Sequence, residues 1–171
     1  MRRALALVAA ALLLAACADD PAVVHPFDRV PVPPVPDRTA EVPEGDAPLP
    51  DGQYWAVDAE VDGGTVTVTL QQAFFDPVCT SVLGEGNCDG GIGVKAEPSR
   101  TVSVDVAGLS PLSVAAPNGQ NYALTPSSFT AVVGGDATSV SVPEDYEYSP
   151  FPFLASVSGG VITGLQQIWT A

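Results

Sequence analysis

The stretch WAVDAEVDGGTVTVTLQ, Trp55 to Gln71, sets the fold class. Trp55, Val57, Ala59 and Val61 alternate with Ala56, Asp58 and Glu60, and beyond Asp62-Gly63-Gly64 the residues Val66, Val68 and Leu70 alternate with threonines. A period of two with β-branched residues marks strands, and a Gly-rich dipeptide between two such runs marks a hairpin. Working outward, TVSVDV (Thr101 to Val106) repeats the alternation, and LSVAAPNGQNYAL reads as a second hairpin turning at Asn118-Gly119. SVSV, Ser139 to Val142, reads as a short strand, and FPFLASVSGGVITGLQQIW reads as two strands around Gly159-Gly160.

One segment departs from this period. In TPSSFTAVVGG, Thr125 can cap a helix, Pro126 suits its first position and Gly134 can end it. Phe129, Val132 and Val133 then share a face. The expectation is a mainly β fold, a small antiparallel barrel or sandwich of about seven short strands with one short helix. Residues 51–171 suffice for one such domain, and no internal repeat is visible.

The N-terminal part has a different character. Arg2 and Arg3 precede an apolar run from Ala4 to Ala16, which Cys17 and Asp19-Asp20 close. Thirteen helical residues reach only about 20 Å, short of the ~30 Å hydrocarbon core, so the run reads as a secretory signal, residues 1–16. Leu14-Ala15-Ala16-Cys17 resembles the lipobox of bacterial lipoproteins. The resemblance implies a diacylglyceryl group on the Cys17 thiol and cleavage that leaves Cys17 as the N-terminus. It also implies an exported protein, anchored to the cell membrane through lipid and facing outside the cytoplasm. With Cys17 lipidated, Cys79 and Cys88 remain as a natural pair in an oxidising compartment, closing a short loop worth about 2–3 kcal/mol. Zinc is disfavoured as the alternative, because His25 is the sole histidine and lies far from both cysteines in sequence. DGQYWAVD and SGGVITGLQQIW look like the first and last hairpins of small, uncharacterised exported proteins of GC-rich bacteria, a likeness that implies fold rather than activity.

Residues 17–50 read as the lipidated cysteine and an acidic tether holding nine of the 17 prolines. Without hydrophobic periodicity such a stretch is expected to stay disordered, spanning about 100 Å if fully polyproline II and about 30 Å as a coil. All 20 acidic residues but only four of the six basic ones follow Cys17, leaving −16 on the mature side chains. That charge opposes nucleic acid and anionic headgroups and favours cationic partners.

Chemistry is sparse. The domain has no histidine to activate a nucleophile, and Lys95 has no SxxK spacing. Gly-rich GNCDGGIGV lacks a following helix for phosphate, and Asp76, Glu85 and Asp89 lack the alternating spacing of a calcium loop. No cofactor or metal is expected. The most suggestive run is PEDYEYSPFPF, Pro143 to Phe153, where Tyr146 and Tyr148 would share one face of a strand beside Glu144, Asp145 and Glu147. The pair is the expected interaction surface if exposed, and core filling is the alternative. The functional expectation is a monomeric, non-catalytic binding or scaffold module for envelope proteins, the alternative being a small carboxylate-dependent enzyme on cell-wall sugars.

Overall fold

A computed structural model describes residues 25–144 and 146–170, so the signal segment 1–16, Cys17 and Asp145 lie outside the described residues. The described strands are β1 (Arg29–Val30), β2 (Gly52–Asp62), β3 (Thr65–Phe75), β4 (Ile92–Asp105), β5 (Leu112–Ala115), β6 (Asn121–Ala123), β7 (Phe153–Ser158) and β8 (Val161–Gln167). Helices α1 (Val78–Leu83) and α2 (Pro126–Val133) complete the framework with three short 3-10 turns. All eight strands belong to one sheet ordered β1-β6-β5-β8-β7-β2-β3-β4. The fold is mainly β, as the alternation implies, but the strand order is open at β1 and β4 and does not close into a barrel.

The three expected hairpins form: β2–β3 around Gly63-Gly64, β5–β6 around Asn118-Gly119, and β7–β8 around Gly159-Gly160. Helix α2 also forms where the caps place it. Thr125 Oγ1 accepts from the Ser128 N–H, and Ser128 Oγ hydrogen-bonds the Thr125 N–H in return. Its Phe129 and Val132 are buried, with the Phe129 and Phe153 ring centroids 5.8 Å apart.

Several expectations need correction. The sheet is mixed, because β5 pairs with β8 in parallel through Leu112–Leu165 and Ser113–Gln166. Their approach needs Gly164: a Cβ there would lie 2.9 Å from the Pro111 carbonyl oxygen. Strand β4 begins at Ile92, well before the expected start at Thr101, and its six residues Lys95 to Arg100 lie opposite only three on β3, Leu70 to Gln72. The surplus loops out around Pro98, which a paired strand would not accommodate. SVSV is not a strand: Ala137–Ser139 is a 3-10 turn, and Val140 packs against the core from irregular chain. A second helix, the six-residue α1, adds to the one expected.

Both sheet faces carry apolar clusters. The larger includes Tyr54 and Ala56 of β2, Val66, Val68 and Leu70 of β3, Leu112 and Val114 of β5, and Phe153, Ala155 and Leu165 of β7 and β8, with α2 packed on it. The smaller holds Trp55, Ala73, Phe75, Leu154 and Ile168, with Trp55 edge-on to Phe75 at 5.7 Å. The expected single face of Trp55, Val57, Ala59 and Val61 is split between these clusters. A bulge between Val57 and Glu60 inserts one residue, with Asp58 at φ 53°, and so moves Ala59 and Val61 onto the face of Tyr54 and Ala56.

The largest correction concerns residues 25–50. Phe27, Val42 and Leu49 are buried in the main cluster, each worth roughly 1.5–3 kcal/mol. Phe27 and Asp28 exchange backbone hydrogen bonds of 2.8 Å with Ala123, and β1 follows as an edge strand on β6. Residues 37–40 then enter the gap where β2 and β3 part beyond the Trp55–Gln71 pair. The Thr39 N–H donates to the Ala73 carbonyl (2.9 Å), the Ala73 N–H donates to Thr39 Oγ1 (2.8 Å), and the Ala40 N–H donates to the Gln53 carbonyl (2.7 Å). Further on, the Arg100 guanidinium donates to the carbonyls of Pro43, Gly45 and Ala47. Proline is tolerated here because the strap's backbone donors come from non-proline residues, while a proline such as Pro43 only has to accept through its carbonyl.

Thr39→Val nearly conserves shape but leaves the buried Ala73 N–H without its side-chain acceptor. Chemical denaturation is expected to show a loss of about 1–3 kcal/mol. An unchanged midpoint would contradict the role given to Thr39.

Candidate functional site

The bulge that reorients β2 also builds one wall of a cleft of about 510 Å³. Asp58 and Glu60, both exposed, stand on that wall with Val57 and Ala59. The facing wall is Tyr148 and the run Pro150 to Phe153. Pairing of β2 with β7 (Ala56 opposite Phe153) joins the two walls at their base. A bulge commonly re-aims side chains out of a sheet, and here the two carboxylates border a proline- and aromatic-rich surface.

A fully buried glutamine fixes the second wall. Gln167 Oε1 accepts from the Ala115 N–H (2.9 Å), while Nε2 donates to the carbonyls of Ser149 (2.8 Å) and Phe151 (2.9 Å). Its own carbonyl accepts from Asn121 Nδ2 at 2.7 Å. The amide thus serves the Ala115 N–H of β5 and two carbonyls of the irregular segment 149–151, tying that segment to the sheet. Hydrophobic alternation gives no sign of this role, because Gln167 reads as the polar end of β8.

The two tyrosines singled out in the sequence lie in irregular chain, not on a strand, and are half-buried against the main core. Tyr146 stacks edge-on to Tyr122 at 5.7 Å and lies 5.5 Å from the Phe27 ring. Its hydroxyl, like that of Tyr122, is buried without a hydrogen-bond partner. Burial, with a smaller contribution from Tyr148, raises the Tyr146 phenol far above its ordinary range, and burial also raises Tyr148. Of the pair, only Tyr148 lines the cleft.

Cys79 and Cys88 form the expected disulfide, with Cα atoms 6.0 Å apart. The loop it closes rests on Gly93 of β4, where a Cβ would lie 2.5 Å from Cys79 Sγ. Asp76 Oδ1 accepts from the N–H and hydroxyl of Thr80, holding the first turn of α1. Asp76, Cys79 and Cys88 are the one group of three potential metal ligands within 4.8 Å among the described residues. Both sulfurs are bonded to each other, so this group has no thiolate to offer. Glu85 and Asp89 do not join Asp76 in it.

Glycoside hydrolysis sets two carboxyl groups on either side of the scissile bond. Among the described residues that line the cleft the acids are Asp58 and Glu60, two residues apart on the same strand, and the facing residues Tyr148 and Pro150 to Phe153 add none. No protein-family model matches the chain, and no curated protein or solved structure matches it significantly. Among the described residues no helix is long and apolar enough to cross a membrane.

The raised Tyr146 phenol carries a pH dependence. Above about pH 10 the unfolded chain releases tyrosine protons that the folded chain retains, so stability falls as pH rises. Tyr146→Phe removes the orphaned hydroxyl and is expected to leave neutral-pH stability equal or slightly higher, with a shallower alkaline decline. Melts from pH 7 to pH 11 measure both, and a decline as steep as wild type would refute the assignment.

Proposed function

We propose that the chain is an exported lipoprotein, acylated at Cys17 and facing outside the cytoplasm, whose β domain is a non-catalytic binding module of the cell envelope. The cleft between the Asp58 bulge and the Tyr148–Phe153 segment is the observation that carries the binding reading. Two carboxylates on one wall attract a cation, and the rings and prolines opposite offer apolar contact. The complementary ligand is an extended segment of an envelope protein presenting Lys or Arg beside an apolar or aromatic residue. The net charge of −14 for the full sequence works in the same direction, drawing cationic partners and weakening with salt. Anchoring draws its support from the lipobox-like LAAC alone.

Metabolic labelling with a lipid precursor tests the anchor: wild type is expected to incorporate label and Cys17→Ser to lose it, and equal labelling would reject acylation. Crosslinked pull-down from intact envelopes tests the cleft. Asp58→Asn combined with Glu60→Gln is expected to lose salt-sensitive partners at least tenfold while the thermal melt stays unchanged. Undiminished capture by the folded double variant would place binding elsewhere on the domain.

A further inference from the structure

A second cleft, of about 420 Å³, lies in the size range of small-molecule sites and is walled mainly by Val30, Leu109, Pro111, Leu112, Leu124 and Pro126. Its position relative to the chain's start gives it meaning. Val30 lies on β1, and Ala123, also in the wall, exchanges backbone hydrogen bonds with Phe27 and Asp28. The strap is therefore pinned to the cleft's own wall within a few residues of where the described chain begins. Between Cys17 and His25 stand seven residues, Ala18 to Val24. Fully extended, the eight steps reach at most about 29 Å. Resting on the acylation proposed above, this geometry confines the cleft to the neighbourhood of the bilayer surface.

We infer that this cleft takes one acyl chain of a zwitterionic phospholipid from the leaflet that holds the anchor. The apolar wall suits a hydrocarbon chain, and the acidic domain disfavours anionic headgroups. The site differs from the acidic cleft in both lining and ligand class.

The test uses full-length protein in phosphatidylcholine vesicles containing a phospholipid with a photoactivatable diazirine in its acyl chain. Intact mass reports acylation of Cys17, and digestion maps the cross-links. Cross-links are expected within residues 109–113 and 123–126. Val30→Asp and Pro126→Asp are each expected to cut them at least fivefold with the melt retained, because Val30 is half-buried on the edge strand β1 and an acid at Pro126 stands in the first turn of α2, where it is well tolerated. Val161→Asp, at an exposed residue outside the cleft, is expected to leave them unchanged. Cross-links confined to residues before His25 or scattered over the surface would overturn the inference, as would undiminished labelling of both folded cleft variants. If wild type carries no acyl mass, the anchoring reading fails by itself. Soluble full-length chain added to the same vesicles then decides the cleft: cross-links at the same residues uphold the lipid site, and their absence rejects it.

Discussion

Beyond the Trp55–Gln71 pair the long hairpin splits, with β2 continuing along β7 while the end of β3 turns away. Thr39 sits in that split, 2% exposed, and uses its backbone and hydroxyl to hold both the carbonyl and the N–H of Ala73. Its carbonyl accepts from Gln72 Nε2, and the neighbouring Ala40 N–H reaches Gln53 on the other side. A split sheet buries polar backbone that must find partners, and the interior offers no water to supply them. The strap is therefore a structural part of the sheet. Its buried residues, Phe27, Val42 and Leu49, then extend the main core from outside the expected domain boundary.

The same economy of polar groups shapes the candidate site. Only two residue pairs join β5 to β8, and the ladder then gives way to a side chain: the Gln167 amide satisfies Ala115 and draws the 149–151 carbonyls inward. On β2, which β7 separates from β8, the bulge at Asp58 exchanges one ladder position for a change of face. One device fixes the proline-aromatic wall and the other lifts the carboxylates beside it. The cleft thus follows from how the sheet completes its hydrogen bonds, and those solutions decide which side chains stand at its rim.

Much of the fold was legible because neighbouring residues encode it. Alternation on either side of Gly63-Gly64, Asn118-Gly119 and Gly159-Gly160 specifies three hairpins, and Thr125-Pro126 specifies the start of α2. Alternation misled where pairing decides. Ser139 to Val142 has the period of a strand but does not pair, whereas Val57, Ala59 and Val61 keep a regular period across a bulge that changes their face. The strap was hidden because its anchors contact different parts of the core at irregular spacing, so no periodic signal arises. Tyr148 stood out within its aromatic-acidic run, but Asp58 and Glu60 looked like ordinary strand polar residues. Their meeting depends on the β2–β7 register, a contact between residues about a hundred positions apart.

These relations change the role of residues 25–50 from the expected spacer to a strap that completes the sheet. Amide hydrogen exchange at Thr39, Ala40 and Ala73 tests this most directly. If the strap completes the sheet, these amides exchange on the order of a thousandfold or more slowly than in an unfolded chain, with protection approaching that of Val68 in the core. Exchange of Thr39 and Ala40 at the rate of a free peptide, beside a protected Val68, would contradict it.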